Sequence, residues 1–316
     1  MKILLTGGCG FKGSVLIPQL LNDGHDVVNI DNQWFGNYLP KHPNLENIKL
    51  DIREVEKIPL KKVDVIIHLA NIANDPAVEL NPNLSWEVNV LAGQQLADRA
   101  VRNDIKQFIF ASSGSVYGIK DEPNVTEDLP LVPISVYNKT KMVAERVFLS
   151  YAKHIKVHCI RPATVCGLSP RMRLDVSVNM LTYQALKNKK ITVFGGDQTR
   201  PNIHIKDMAN VYKHFINNSH IDSGSYNAGF ENISILDIAK KVQKNIDSEI
   251  NISESNDPRS YRQDSTKLLS TGFLPKFGIE DAIKEIKEEY EKGKLIFDDR
   301  CYTVKWMKKL NLNLKT

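Results

Sequence analysis

Short apolar runs alternate with helix-periodic stretches through the first half of the chain. Lys2–Leu5 predicts a strand, Phe11–Asn22 a helix, Asp26–Ile30 a second strand and Asn47–Leu50 a third. Val63–Leu69 is almost continuously apolar, as in a strand buried on both faces. A helix over Leu84–Asn103 leads to a fifth strand, Gln107–Ala111. A helix opening at Tyr137 and running to about Ala152 then precedes a sixth strand, Val157–Arg161. Strands and helices alternating at these lengths predict an α/β fold with a doubly wound parallel sheet. In such sheets ligands gather outside the carboxyl ends of the strands.

Beyond residue 170 the rhythm loosens. Pro162–Arg173 reads as a substrate-facing loop. It is followed by a helix near Asp175–Lys187, a strand Ile191–Phe194, a Gly195-Gly196-Asp197 turn and an extended Arg200–Ile205. Helices are expected over Lys206–Asn217, Ser234–Asn245 and Glu280–Lys292. The tail from Leu295 to Thr316 carries Trp306, Met307 and Leu310, enough for a terminal packed helix. We expect residues 1–165 to form one domain and 166–316 a smaller, mixed subdomain interleaved with it.

The chemistry begins directly after the first strand, in Thr6-Gly7-Gly8-Cys9-Gly10-Phe11-Lys12-Gly13. Gly7 permits a tight turn, Gly10 lets a backbone approach a pyrophosphate, and Gly13 allows close helix–strand packing. The amide groups and positive dipole end of the following helix point at that phosphate. Asp31, ending the second strand, stands where a carboxylate accepts from adenosine ribose hydroxyls. It would repel a 2′-phosphate, which favours NAD over NADP; Lys12 could help bind either. The expected Rossmann-like cofactor cleft also takes in Phe11, Asn32, Asp51 (toward the adenine amine), Ile52, Leu69, Ala70, Asn71, Asn89, Ser112, Pro162 and Thr164.

Composition narrows the class. The chain has 316 residues, 42% hydrophobic and 25% charged, ordinary for a globular protein of one large domain or a large and a small one. A net charge of +5, spread out apart from Lys187–Lys190 and the Lys-rich tail, does not call for nucleic acid. It suits an anionic small substrate such as a nucleoside diphosphate derivative. Cys9, Cys159, Cys166 and Cys301 have no metal-ligand spacing, and no metal is expected. With no signal peptide and apolar runs well short of roughly 18 residues, a cytoplasmic protein without a membrane span is expected.

The fifth strand ends in Ser112-Ser113-Gly114-Ser115-Val116-Tyr117-Gly118, and Tyr137 and Lys141 are spaced to share one helical face. Gly7-x-x-Gly10-x-x-Gly13, Asp31, the serine-rich turn and Tyr137-x-x-x-Lys141, in this order, resemble the extended short-chain dehydrogenase/reductase family. More narrowly they are similar to its nucleotide-sugar epimerases and dehydratases, over roughly residues 1–290. The resemblance implies Tyr137 as base toward a sugar hydroxyl, Ser113 holding that oxygen, and Lys141 lowering the phenol together with the cationic nicotinamide ring and binding the nicotinamide ribose. A free tyrosine has a pKa of about 10, so the phenol needs such neighbouring charge to act as a base near neutrality.

In similar dehydratases an Asp-Glu pair follows the Ser/Thr position; here Gly114 and Ser115 stand there, which disfavours a 4,6-dehydratase. Epimerisation through a transient keto sugar needs no further acid or base and is the preferred reading. A nucleotide-sugar 4-dehydrogenase is the alternative, and a non-catalytic NAD-binding module a third. The loop Gly167-Leu168-Ser169-Pro170-Arg171-Met172-Arg173-Leu174-Asp175 is similar to one in a branch that includes GDP-heptose 4-dehydrogenases. Arg171 and Arg173 could grip sugar-diphosphate oxygens. Thr164 stands where many relatives have Asn in Arg-x-x-Asn. By resemblance Asn179 and Arg200 face the diphosphate and Arg259, with Arg262 as rival, is a second phosphate arginine, while His204 is structural; Ser115 joins the substrate residues. The family implies a homodimer built on helices Leu84–Asn103 and Asn138–Ala152.

Overall fold

The computed structural model describes residues 1–254, 260–295 and 297–311. Arg259 and the last residues of the tail lie outside them. The first half runs β1 (Lys2–Thr6), α1 (Gly13–Asn22), β2 (Asp26–Asp31), β3 (Leu45–Lys49), β4 (Val65–His68), α2 (Asp75–Val78) and α3 (Pro82–Trp86). It continues through a π-helical turn, Glu87–Leu91, into α4 (Ala92–Arg102), β5 (Gln107–Ala111), α5 (Val136–Ser150) and β6 (Lys156–Pro162). The second half comprises β7 (Thr164–Cys166), α6 (Ser177–Asn188), β8 (Lys190–Phe194), β9 (Thr199–His204), α7 (Ile205–Asn217) and β10 (Gly224–Ala228). It ends with β11 (Glu231–Ser234), α8 (Ile235–Asn245), β12 (Glu249–Ser253), α9 (Thr266–Leu269), α10 (Ile279–Glu291) and α11 (Thr303–Lys309).

Seven strands form one parallel sheet in the order β10-β6-β5-β4-β1-β2-β3. Successive residues serve opposite layers, which is why the central strands β1, β4 and β5 read as apolar runs. Leu4, Ile66, Phe108 and Phe110 face Leu96, Ala144 and Phe148 of α4 and α5. Ile3, Leu5, Ile67 and Ile109 face Leu16, Ile17 and Leu20 of α1 and Met208, Tyr212 and Phe215 of α7. The fold is the expected Rossmann-like α/β one.

A separate core packs α6, α8 and α10 through Leu181, Ile238, Ile283 and Ile286 against Ile191 and Val193 of β8. Two small sheets accompany it, β11-β9-β7 and β12-β8. The chain nevertheless returns to the large sheet, because β10 pairs with β6 from His158 to Pro162.

Two departures from the sequence reading have clear causes. The strand β10 carries Ser225 and Asn227, so it shows no apolar run. It is buried because those polar side chains bond to Glu145, Val125 and Tyr117 inside the protein. The expected single helix Leu84–Asn103 begins earlier and is interrupted. Asn81 caps it by accepting from the Leu84 amide at 3.0 Å, and the π turn widens it where Asn89 sits.

Candidate active site

A cleft of about 990 Å³ opens at the carboxyl ends of β1, β2, β4 and β5, where the strand order reverses between β1 and β4. Gly7 has φ +77°, and a Cβ there would lie 2.6 Å from the Ala70 nitrogen. A Cβ on Gly13 would lie 2.5 Å from the Gly8 Cα, so the start of α1 seats directly on the turn. Gly10, Phe11 and Lys12 are left lining the cleft beside this helix end.

Asp31 sits on the same wall. Its carboxylate accepts from the Cys9 amide at 2.9 Å and the Gln33 amide at 2.7 Å, which fixes it against the turn. Burial raises its pKa, and those two amides and Arg171 work against that. Asn32, Ile52, Leu69, Ala70, Asn71, Ser112, Pro162 and Thr164 line the cleft as expected from the sequence. The buried Asn71 Oδ1 has no hydrogen-bond partner among the described residues. Lys12 is half-buried toward Tyr212, donating to its hydroxyl at 3.4 Å, and desolvation together with Arg173 brings its pKa down to about 8. Asn29, which the sequence reading overlooked, accepts from the Gly8 amide at 2.9 Å and donates to Asn47 at 2.8 Å. It thereby ties the turn to β2 and β3.

At the other end stand Ser113, Ser115, Tyr137 and Lys141. Ser113 follows β5 and begins a short 3-10 turn; its Oγ lies 2.7 Å from the Ser115 Oγ. Tyr137 and Lys141 fall on successive turns of α5, whose first turn is capped by Ser135 accepting from the Asn138 amide at 3.1 Å. Lys141 is 2% exposed, and its ammonium donates to the Ala111 carbonyl at 2.6 Å. Burial, with Lys12 nearby, pushes the Lys141 pKa well down. The Tyr137 phenol is pushed up to about 12 by burial, with Asp75 adding to this, while a hydrogen bond to Ser113 and the Arg173 charge pull it down. The Lys141 ammonium is 6.0 Å from the Tyr137 ring centroid and engaged with Ala111.

Four further expectations change. Asp51 does not line the cleft; Arg53 takes its carboxylate at 2.9 Å and 3.1 Å. Asn89 is also off the wall. It accepts from the Ile72 amide at 2.8 Å and donates to the Ile72 carbonyl and to Thr140, pinning the segment after β4. Asn179 accepts from the Gly167 amide at 2.9 Å and donates to the Gly167 and Arg173 carbonyls. It shapes the arginine-bearing loop and is not on the cleft wall. Arg171 and Arg173 both reach the cleft but diverge: Arg171 stacks 4.1 Å over the Phe35 ring centroid, while Arg173 pairs with Asp175 at 2.8 Å.

Arg200 lines the cleft and donates to the Thr199 carbonyl at 3.3 Å, whereas Arg262 is exposed and off the wall. His204 accepts from the Lys206 amide at 3.2 Å, a helix cap. The sequence reading missed Trp34, Phe35, Asp75 and Tyr261 on the wall, and the contribution of the tail. Thr303, Val304, Met307 and Lys308 of α11 face the cleft, and Trp306 donates to the Trp34 carbonyl at 2.5 Å. The apolar residues of the tail signalled a packed helix, but not its partner. Behind the serine turn, Arg161 is paired with Glu145, which also accepts from Ser112 and Ser225 at 2.8 Å each. Among the described residues no cluster of His, Cys, Asp or Glu could hold a metal ion.

A glycine turn at a helix start, a fixed carboxylate at the end of β2 and a Ser/Tyr/Lys set at the far end of the cleft define an enzyme class that works on an alcohol beside a nicotinamide dinucleotide. Residues 3–229 match the model of the NAD dependent epimerase/dehydratase family, and the chain belongs to it. A putative UDP-glucose 4-epimerase of Methanocaldococcus jannaschii is 31% identical over 90% of this chain and 96% of that protein. UDP-glucuronic acid decarboxylase 1 of Danio rerio is 30% identical over 90% of this chain and 71% of that protein. The crystal structure of a UDP-glucuronic acid 4-epimerase from Bacillus cereus, in complex with UDP-glucuronic acid and NAD, superposes with a TM-score of 0.80. It is 28% identical, covering 92% of this chain and 99% of that one. NAD is the cofactor of this enzyme family, and the glycine turn, Asp31 and the unpartnered Asn71 oxygen are chemically suited to it.

Proposed function

We propose that the protein is an NAD-dependent nucleotide-sugar epimerase that oxidises and re-reduces one sugar carbon, C4. The observation that carries this reading is the joint placement of Ser113, Tyr137 and Lys141 in one cleft with the cofactor turn, with no acidic side chain at positions 114 and 115. NAD supplies a hydride acceptor and later the donor. Tyr137 takes the proton of the sugar hydroxyl and, once the keto sugar has turned its opposite face to the hydride donor, returns a proton to the same oxygen. Ser113 hydrogen-bonds the reacting oxygen and the phenol alike. Lys141, buried and facing the same helical side, holds the nicotinamide ribose and supplies positive charge. Burial holds the phenol up at about 12, and the positive charges of Lys141 and of the oxidised cofactor work to lower it.

Arg200, with Arg173 and Ser115, is assigned to the nucleotide-sugar end of the cleft; Arg259 is kept in this role by resemblance. We take residues 1–165 as the cofactor domain and 166–316 as the interleaved substrate subdomain, and the working compartment as the cytoplasm. A homodimer joined through the α4 and α5 region belongs to the same reading. Leu91, 55% exposed just before α4, is an apolar residue such a contact would cover. Light scattering of the purified protein tests that point.

Incubation with a panel of UDP-, GDP-, CDP- and dTDP-sugars, followed at 340 nm and by product identity, tests the reaction. A new isomer without lasting NADH supports epimerisation. Lasting NADH accumulation would replace it with the 4-dehydrogenase reading, which the 167–175 loop favours.

A further inference from the structure

We infer that Arg171 grips the pyrophosphate of the bound dinucleotide, so that the second lobe and the C-terminal helix help hold the cofactor in place. This rests on the NAD dependence of the enzyme and not on which sugar it uses. It also reassigns Arg171 from the substrate diphosphate, where the sequence had placed it.

The guanidinium is 4% exposed, yet its Nε and Nη1 have no hydrogen-bond partner among the described residues. The remaining Nη2 reaches Thr303 Oγ1 only at 3.5 Å. A buried cation with unmatched donors is costly unless an acceptor arrives, and a phosphate fits a guanidinium fork closely. Burial and the Arg173 charge bring the Arg171 pKa down to about 10, in keeping with a site short of negative charge.

Its surroundings show which phosphate is in reach. Arg171 stacks on Phe35, which follows β2, and its charge is felt by Asp31 and Tyr38. These residues mark the adenosine end of the cleft. The Tyr137 phenol, at the reacting end, feels Arg173 instead. Asp31 does not satisfy Arg171, because its oxygens accept from the Cys9 and Gln33 amides. The tail fixes the arrangement: the Thr303 amide donates to Asp175 at 3.1 Å, and Trp306 is bonded to Trp34.

The test compares wild type with Arg171→Gln and Arg171→Lys. Bound NAD is challenged with labelled NAD to measure its release. Calorimetry measures affinity for whichever of UDP, GDP, CDP and dTDP binds the wild type, and NADP is titrated in parallel. We expect NAD to leave Arg171→Gln about 10- to 100-fold faster, about 1.4 kcal/mol per tenfold. Nucleoside diphosphate affinity should stay within about twofold, and Lys should restore only part of the retention. Loss of nucleoside diphosphate affinity with NAD release unchanged would overturn the inference and return Arg171 to the substrate. Two unchanged values would make it purely structural. Wild-type preference for NADP that vanishes in Arg171→Gln would place a 2′-phosphate there instead. Should Arg171→Gln fail to fold, Thr303→Val is measured in the same way, and unchanged NAD release in it would count against the inference.

Discussion

Tyr137 and Lys141 stand one helical turn apart on α5, yet the Lys141 ammonium lies 6.0 Å from the Tyr137 ring centroid and is bonded to the Ala111 carbonyl. The pair shares a face without touching. Ser113, whose Oγ lies 2.7 Å from that of Ser115, stands in the same cleft.

Replacing Tyr137 by Phe keeps the ring and its packing but removes the only proton-transferring atom of that side chain. Turnover should fall by about 10²- to 10⁴-fold. Bound NAD should be retained, since the glycine turn and Asp31 are untouched. Steady-state assays with cofactor quantification check both; surviving turnover would refute Tyr137 as the base.

Glycine substitutions separate backbone conformation from packing. Gly7 and Gly24 both have positive φ, +77° and +81°, but an added Cβ at Gly24 meets nothing within 4 Å. Gly24→Ala should cost about 1–2 kcal/mol, the left-handed penalty alone. Gly7→Ala adds a collision with the Ala70 backbone, for a further 1–3 kcal/mol or so, and should also weaken NAD binding. Urea denaturation and NAD titration of the two variants make the comparison.

The buried Arg161–Glu145 pair ties β6 and α5 to the serine turn and to β10. Breaking one partner, as in Glu145→Gln, should destabilise by about 3–5 kcal/mol, because Arg161 keeps its charge without a counter-ion. Denaturant midpoints of Glu145→Gln, Arg161→Met and the double variant test this. The double variant should lose less than the sum of the singles.

Cofactor affinity should depend on pH through Lys12. Its folded pKa is about 8, below the usual 10.5, owing to burial and Arg173. The cost of burying that charge is fully present below pH 8 and disappears as pH rises toward 10.5, so the cofactor-free protein gains stability over that window. A phosphate nearby favours the ammonium. NAD should therefore bind best below pH 8 and more weakly above it, where binding must take up a proton. Titrations at about pH 7 and about pH 9.5 should differ for wild type and converge in Lys12→Met.

Local chemistry in the sequence was enough for the parallel sheet, the glycine turn, Asp31 and the Ser113/Tyr137/Lys141 set. Each depends on spacing along one strand, turn or helix, and strand β5 falls over the predicted Gln107–Ala111. Tertiary structure alone decided the rest, because polar residues declare their partners only when distant segments meet. Ser225 and Asn227 look like loop residues until Glu145 and Tyr117 surround them. Asn89 and Asn179 have the side chains of ligand-binding residues but spend them on Ile72 and Gly167. Arg171 and Arg173, two positions apart in the chain, diverge because one stacks on Phe35 and the other pairs with Asp175.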